Sequence, residues 1–286
     1  MKGKRFEKFM KGIFILSSLV SIVSIVLICV FIFKGGIPFI KEYGLKNFLF
    51  GREWKPSNSP PIYGILPMIL GSFYVTIGAV LVGVPIGVMT ATYMSYFSGK
   101  RIYSILKPSI NLMAGIPSIV YGFFFLTVVV PIVRDVFGGT GMNFITASIL
   151  LGVMILPTII GISESALKAV PKEYYEGSIA LGASHESSII KVVIPAAKSG
   201  IMASIILGVG RAIGETMALI LVAGNQARMP KGITKGFRSL TTNIVMDMSY
   251  ASGTHREALI ATAVVLFIFI LIINGIFSIV KRRSLR

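Results

Sequence analysis

Long apolar stretches alternate with short polar ones along most of the chain. Six of these stretches are long enough to cross a bilayer as helices, which takes about 20 predominantly apolar residues. Glycine, proline or charged residues, which end or interrupt helices, bound each stretch. The six stretches lie at about residues 12–33, 65–97, 108–133, 145–163, 201–223 and 258–280. The pattern therefore predicts an all-α polytopic membrane protein with six transmembrane helices.

Several of these spans contain residues that disturb a regular helix. The second includes Pro85, the third contains Gly115-Ile-Pro117 near its beginning, and the fourth carries Pro157. Proline removes a backbone hydrogen bond, whereas glycines let neighbouring helices approach closely. We expect a bent second span and a break near the start of the third.

Six spans put both chain ends on one side of the membrane, and the loop charges indicate which side. The inner segments carry 16 Lys and Arg residues and the outer ones 11, and basic residues are enriched in cytoplasmic loops. The first apolar run exceeds a signal-peptide core of roughly 7–15 residues, and no small-residue cleavage site follows it. We therefore expect a retained first span and both termini in the cytoplasm. The segments expected outside are residues 34–64, 134–144 and 224–257.

The composition changes this picture little. Of the 286 residues, 54% are hydrophobic and 14% are charged, which is too little charge for a soluble protein. The net charge of +17 does not indicate nucleic acid as a partner, because the basic residues flank the spans in small groups. One cysteine, Cys29, excludes an intrachain disulfide, and His185 and His255 are predicted on opposite sides. We expect membrane lipid around the chain, and neither a cofactor nor a metal.

One polar segment, residues 171–198, has the pattern of two short helices joined by a turn. Pro171 can open the first helix, and Gly182 can end it because glycine readily adopts a left-handed backbone. Ser184 can cap the second helix, and Pro195 limits its extension. A compact helix–turn–helix between two spans suits docking to a soluble partner.

Seven positions of this segment have a fixed spacing. A glutamate is followed by two small residues, by a glycine six positions after the glutamate, and then by an apolar-x-apolar-proline run. These positions are Glu176, Gly177, Ser178, Gly182, Val192, Ile194 and Pro195. The spacing resembles the EAA loop of ABC importer permeases, with glycine and serine in place of alanines and isoleucine in place of leucine. The resemblance implies the type I ABC importer permease fold, and a coupling loop that fits a cleft on an ATPase subunit.

Further stretches are similar to one group of these permeases. They are YGILP at 63–67, AGIPSIVYGFF at 114–124, GRAIGETMALILVAGN at 210–225 and SLTTNIVMDMSYASGTHREAL at 239–259. These stretches resemble the PstC-type permeases of phosphate importers, from about residue 50 to the C-terminus. The resemblance implies a prokaryotic plasma-membrane complex with a PstA-like permease subunit, an ATPase dimer and an external phosphate-binding protein. It divides the chain into an N-terminal tail, first span and outer loop at 1–64 and a permease core at 65–286.

The fifth predicted span contains the only Asp, Glu, Lys or Arg residues that we place inside a span. Arg211 lies about 15 Å from the start of that span, at a rise of 1.5 Å per residue. It shares one face of the predicted helix with Glu215, and a charge at this depth must face protein or water. Gly210 and Gly214 offer a second, small face for helix packing.

Two interpretations of this charged pair remain. Arg211 and Glu215 can form a self-satisfied ion pair that only pins the helices, although the favourable order at this spacing has the acid first. Alternatively, the family resemblance implies that Arg211 binds phosphate, whose oxygens a guanidinium meets in pairs. Glu215 would then partner the arginine in the empty site. On that second interpretation, Arg211, Glu215 and Thr216 lie on the substrate path.

Other functional classes explain parts of the pattern. A PstA-type sister subunit, or a permease for another oxyanion, is the nearest alternative. A secondary transporter would explain the intramembrane charges but not the spacing between Glu176 and Pro195. A membrane enzyme has no support from clustered histidines, paired carboxylates or a nucleophile motif. The sequence also lacks a G-x-x-x-x-G-K-[ST] motif, so we expect ATP hydrolysis in a separate subunit.

Overall fold

The computed structural model describes residues 2–284, and the side chains of these residues apart from 2–5, 8, 277 and 280–284. Most basic side chains of the two predicted tails therefore lie outside the described residues. The described chain is mainly helical, which confirms the all-α class. Its α-helices are α1 (Lys2–Tyr43), α2 (Leu45–Phe50), α3 (Leu66–Thr92), α4 (Lys100–Gly115), α5 (Ser118–Phe124), α6 (Val130–Phe137), α7 (Phe144–Lys168), α8 (Lys172–Ala180), α9 (His185–Ser188), α10 (Ile194–Ala196), α11 (Lys198–Gly214), α12 (Met217–Val222), α13 (Leu240–Met248) and α14 (Gly253–Ser284).

Several of these helices combine into longer segments. Five segments are long and apolar enough to cross a membrane, namely Phe9–Tyr43, Leu66–Phe97, Ser118–Phe137, Phe144–Lys168 and Gly253–Ile276. A sixth candidate is a bent pair, in which His185–Ala196 meets Lys198–Gly214 at 69°. Within residues 2–284, the candidates follow the order of the six predicted spans.

Several predicted boundaries were wrong. The first helix continues past residue 33 to Tyr43, which shortens the predicted outer loop. The third span begins at Ser118 and not at residue 108, because extended residues at the predicted break separate it from α4. The fifth predicted span, 201–223, is not one helix, since α11 already ends at Gly214.

The centre of the protein is the packing of α3 against α7. A Cβ atom on Gly83 of α3 would lie 2.8 Å from the carbonyl oxygen of Gly152 on α7, so only glycine allows this approach. Such small residues permit close helix contact where lipid gives helices no hydrophobic reason to associate. On α7, the buried Ser163 hydroxyl hydrogen-bonds the Ser204 hydroxyl of α11 at 2.8 Å. Helix α7 therefore lies between α3 and α11.

A polar cluster joins α4 to α7 on the side predicted to be cytoplasmic. The Glu164 carboxylate of α7 accepts hydrogen bonds from Tyr103 Oη (2.7 Å) and Lys107 Nζ (2.7 Å) of α4. Lys168 Nζ donates a third, of 2.6 Å, from the next turn of α7. Because α7 runs to Lys168, the predicted end of this span at residue 163 was wrong. The expectation that charged residues occur only in the fifth span was wrong for the same reason.

At the opposite end of the spans, residues 44–65 fold over α1 and α14. They contain α2 and an antiparallel hairpin that pairs β1 (Trp54–Lys55) with β2 (Ile62–Tyr63). The rings of Tyr63 and Phe39 meet edge to face, with centroids 5.5 Å apart. This segment is therefore ordered by aromatic packing, although its prolines prevent a regular helix.

The buried carboxylate of Asp247, on α13, connects residues 44–65 to the predicted outer segment 224–257. It accepts a hydrogen bond from Trp54 Nε1 at 3.2 Å, and its Oδ2 lies 3.4 Å from a guanidinium nitrogen of Arg238. The Tyr250 hydroxyl donates a third hydrogen bond of 2.7 Å, and this bond raises the pKa of Tyr250. The predicted outer segments 34–64 and 224–257 are thus joined through one buried charge.

The orientation of the spans stays a prediction that cysteine labelling can test. In a Cys29→Ala background, single cysteines replace Ser57, Ser252 or Ala180, all of which are exposed. We expect a membrane-impermeant thiol reagent to label positions 57 and 252 in intact cells, and position 180 only after permeabilisation. The opposite labelling pattern would reverse the assignment of every loop.

Candidate functional site

The segment between α7 and α11 has the helix–turn–helix form that its sequence pattern predicts. Helix α8 begins directly after Pro171 and ends before Gly182, whose φ of +90° is left-handed. Across the turn, the Ala183 N–H donates a hydrogen bond of 3.2 Å to the Ser178 carbonyl. The Gly182 N–H donates a second one, of 2.9 Å, to the Ile179 carbonyl. This Schellman arrangement satisfies carbonyl groups that the end of a helix leaves free. Glycine is needed there because other residues adopt positive φ poorly.

The second helix of this segment begins at Ser184, whose hydroxyl oxygen accepts a hydrogen bond of 3.2 Å from the Ser187 N–H. It continues through a π-helical turn at Ile189–Val193 and ends one residue after Pro195. The chain then bends by 69° into α11. We refer to residues 171–198 as the EAA-like segment.

Side-chain contacts fix the two helices of the EAA-like segment to each other. The Ser178 hydroxyl donates to the Ser188 hydroxyl at 2.9 Å, and the Tyr175 hydroxyl lies 2.7 Å from His185 Nδ1. The Phe97 ring, at the π-helical end of α3, packs against the His185 ring with centroids 5.0 Å apart. The segment is therefore a preformed unit attached to the spans.

The EAA-like positions divide between the two sides of this unit. Ser178, Val192 and Ile194 are half-buried, whereas Glu176, Gly177, Gly182 and Pro195 are exposed. Large apolar side chains also project into solvent, since Leu181 is 91% exposed and Ile190 is 61% exposed. A cluster of exposed apolar side chains beside charged ones is typical of a contact surface. The sequence pattern did not single out Leu181, because periodicity alone does not separate an exposed apolar residue from a buried one.

The second candidate site is the break between α11 and α12. After Gly214 the backbone of Glu215 is extended, with a ψ of 134°, and α12 begins two residues later. Glu215 therefore does not follow Arg211 on one helical face, and that prediction was wrong. Gly214 followed by Thr216 was the available signal, since glycine often ends helices and threonine often precedes them.

Polar groups at this break find partners within the protein. The Glu215 carboxylate accepts a hydrogen bond of 3.1 Å from the Ala218 N–H, at the start of α12. The Thr241 hydroxyl of α13 donates to the Glu215 carbonyl at 3.0 Å, and the Thr216 hydroxyl donates to the Gly214 carbonyl at 3.3 Å. Such contacts are needed because lipid offers no hydrogen bonds to an irregular backbone. Glu215 thus acts as a cap for α12.

Arg211, in the last turn of α11, has an exposed side chain. Among the ion pairs of the described residues, none joins Arg211 to Glu215, so the self-satisfied pair is contradicted. A Cβ atom on Gly210 or Gly214 would meet open space, so the predicted small packing face is unfilled within this chain. Arg211 therefore lies one turn before the break at Glu215 and Thr216, and it forms no ion pair among the described residues.

Residues 83–286 match the family model of the binding-protein-dependent transport system inner membrane component. The chain belongs to this family. It is 38% identical, over 91% of its length and 87% of the relative's, to the probable ABC transporter permease protein YqgH of Bacillus subtilis (strain 168). It is 30% identical, over 91% of its length and 89% of the relative's, to the probable phosphate transport system permease protein PstC of Methanocaldococcus jannaschii.

Solved structures of ABC transporters share the fold. A chain of the bacterial alginate ABC transporter, in complex with an alginate-bound periplasmic protein, has a TM-score of 0.64 and 17% identity, with 96% of both chains covered. A chain of the MetNI methionine ABC transporter has a TM-score of 0.58 and 21% identity, with 78% of this chain and 95% of that chain covered. These likenesses confirm the predicted permease architecture. The protein is a multi-pass inner-membrane component of an ABC importer.

The cap on α12 gives a test of the break in this permease. Glu215→Ala removes the acceptor for the Ala218 N–H, whereas Glu215→Gln keeps an oxygen in that place. Loss of a helix cap costs about 1 kcal/mol. We therefore expect a lower thermal unfolding temperature of the detergent-purified permease for Glu215→Ala than for Glu215→Gln. Glu257→Ala, at an exposed position of α14, is the control and should unfold like the wild type. Equal losses in all three variants would contradict the cap.

Proposed function

We propose that the chain is a PstC-type permease subunit of an ATP-driven phosphate importer. The observation that carries this proposal is the exposed Arg211 at a helix break within the membrane, in a chain with relatives named PstC. A charge at such a depth is costly unless it faces water, protein or a ligand of opposite charge. Phosphate at neutral pH carries one or two negative charges, so it suits this arginine.

The proposed role of Arg211 is to meet an anion part-way across the membrane. It lies about 20 Å along α11 from Lys198, at a rise of 1.5 Å per residue. A planar guanidinium can donate two parallel hydrogen bonds to two phosphate oxygens. Because the Glu215 carboxylate caps α12, we do not propose that it pairs with Arg211 when the site holds no phosphate. The proposed role of Glu215 and Thr216 is to stabilise the extended backbone between α11 and α12, beside the substrate path.

The exposure of Arg211 within one chain supports a path shared with a second subunit. We propose that a PstA-like permease covers this side, so that the anion passes between the two chains. An external phosphate-binding protein delivers the anion, and a dimer of ATPase subunits drives its movement. The two termini and the EAA-like segment lie in the cytoplasm, where the ATPase binds.

The EAA-like segment is the proposed docking surface for the ATPase. It combines a rigid turn at Gly182 with Leu181, which is 91% exposed, at the tip. A preformed surface loses little conformational entropy on binding and can transmit force. An ATP-independent transporter would have no use for such a docking surface.

Arginine variants test the substrate contact. Losing charge-assisted hydrogen bonds of about 1.5–3 kcal/mol should weaken phosphate binding roughly 10- to 100-fold. We expect Arg211→Met to be nearly inactive in proteoliposomes that contain the complete complex, and Arg211→Lys to retain part of the uptake because it keeps only the charge. The measurement is ATP-dependent uptake of radiolabelled phosphate.

Arg101→Met is the matched control, since Arg101 is exposed in the first turn of α4, outside the EAA-like segment, and the substitution is identical. Its uptake should stay close to that of the wild type. Excess sulfate in the assay distinguishes phosphate from a general oxyanion substrate, because a guanidinium binds both. Full uptake by Arg211→Met would end the proposed contact, and equal competition by sulfate would replace phosphate with a wider substrate class.

A change at the turn tests ATPase docking. Gly182→Val places a β-branched residue at a φ of +90°, which such residues rarely adopt, so the turn should distort. We expect less ATPase to co-purify with the permease, or ATP hydrolysis that no longer drives uptake. Gly99→Val is the control, because Gly99 is also exposed but has an ordinary φ of −68°. Normal assembly and coupled uptake in Gly182→Val would count decisively against docking through this turn.

A further inference from the structure

The Glu164 carboxylate is more buried than that of a typical surface ion pair. The Glu164 side chain is 3% exposed, and both carboxylate oxygens are occupied, one by Tyr103 and Lys168 and the other by Lys107. Lys168 Nζ also donates to the Tyr103 hydroxyl at 2.9 Å. A buried carboxylate that loses its partners becomes an uncompensated charge, which is strongly unfavourable. Helices α4 and α7 are therefore constrained to move together at this end.

This cluster lies directly before the EAA-like segment. Glu164 is in the last turn and a half of α7, and Pro171 opens α8 soon afterwards. One apolar cluster packs Ile110 of α4 and Leu167 of α7 together with Val193 and neighbouring residues of the EAA-like segment. A displacement of that segment therefore acts on α4 as well as on α7.

The far end of α4 leads to the break beside Arg211. At the corner between α4 and α5, the Tyr121 hydroxyl donates to the Met113 carbonyl at 2.9 Å. Helix α5 then packs closely on α12, since a Cβ atom on Gly122 would lie 2.9 Å from the Cα atom of Ala218. Ala218 is the residue whose N–H is held by Glu215. A continuous series of contacts thus joins Glu164 to the break.

We propose that Glu164, held by Lys107 and Tyr103, is a positioning residue that transmits movement of the EAA-like segment through α4 to the break beside Arg211. This inference rests on the proposed function, because it requires an ATPase that moves the segment. Its consequence is that a weaker link between α4 and α7 lets the ATPase cycle without moving the path. ATP hydrolysis would then continue while transport falls.

The test measures ATP hydrolysis and phosphate uptake in the same proteoliposomes, with the complete complex. Lys107→Met removes the charge that α4 supplies to Glu164. We expect the ATP hydrolysed per phosphate imported to rise roughly two- to thirty-fold, the range that changes along coupling networks produce. Lys107→Arg keeps a charged donor and should restore the wild-type ratio.

Lys100→Met is the matched control, because Lys100 is exposed at the start of the same helix and the substitution is identical. It should leave the ratio unchanged. A role of Lys107 in packing alone would reduce hydrolysis and uptake together, in proportion to assembled complex, and that result would overturn the proposal.

Tyr103→Phe is the milder second variant in case Lys107→Met does not assemble. It removes one hydroxyl and leaves the ring beneath Lys168 Nζ, which lies 4.3 Å from the ring centroid. A raised ratio in this variant supports transmission, whereas an unchanged ratio, or failure of both variants to assemble, refutes it. If the wild-type complex itself shows no ATP-dependent phosphate uptake, the proposed function fails instead.

Discussion

The organisation of this permease depends on one constraint: backbone polar groups inside a membrane need partners within the protein or water. Continuous helices meet that constraint by themselves, so α3 and α7 can form the centre through packing alone. The break after Gly214 cannot, and it is supported by the Glu215 carboxylate and by hydroxyls of Thr216 and Thr241. Because Thr241 belongs to α13, the break depends on that helix, whose Asp247 accepts a hydrogen bond from Trp54 and pairs with Arg238.

Two charged residues within the spans, Glu164 and Arg211, have opposite surroundings. Glu164 is buried and accepts hydrogen bonds from three donors, so its environment is complete within one chain. Arg211 is exposed and forms no ion pair with Glu215, although both residues flank the same break. In the proposed function, the complement of this open charge lies outside the chain, in substrate or in a second subunit. Glu164, in contrast, belongs to the connection between the EAA-like segment and the spans.

Much of the fold, and one of the two candidate sites, followed from local patterns. The apolar runs located the spans because a bilayer requires a minimum length of apolar helix. The EAA-like segment was predicted correctly, from the first helix after Pro171 to the left-handed Gly182 and the Ser184 cap, because each depends on neighbouring residues alone. The end of the first span was misplaced, since the helix extends into a less apolar stretch where packing against α14 supports it.

The sequence by itself therefore determined the membrane class, the number and order of the spans and the form of the EAA-like segment, because short-range periodicity and capping encode them. Only the tertiary structure decided that the fifth predicted span breaks after Gly214. At this break the Glu215 carboxylate accepts a hydrogen bond from the Ala218 N–H. The tertiary structure also decided that Glu164 joins α4, through a lysine 57 positions away in sequence. Such contacts form between residues far apart along the chain, and the periodicity of a single helix does not contain them.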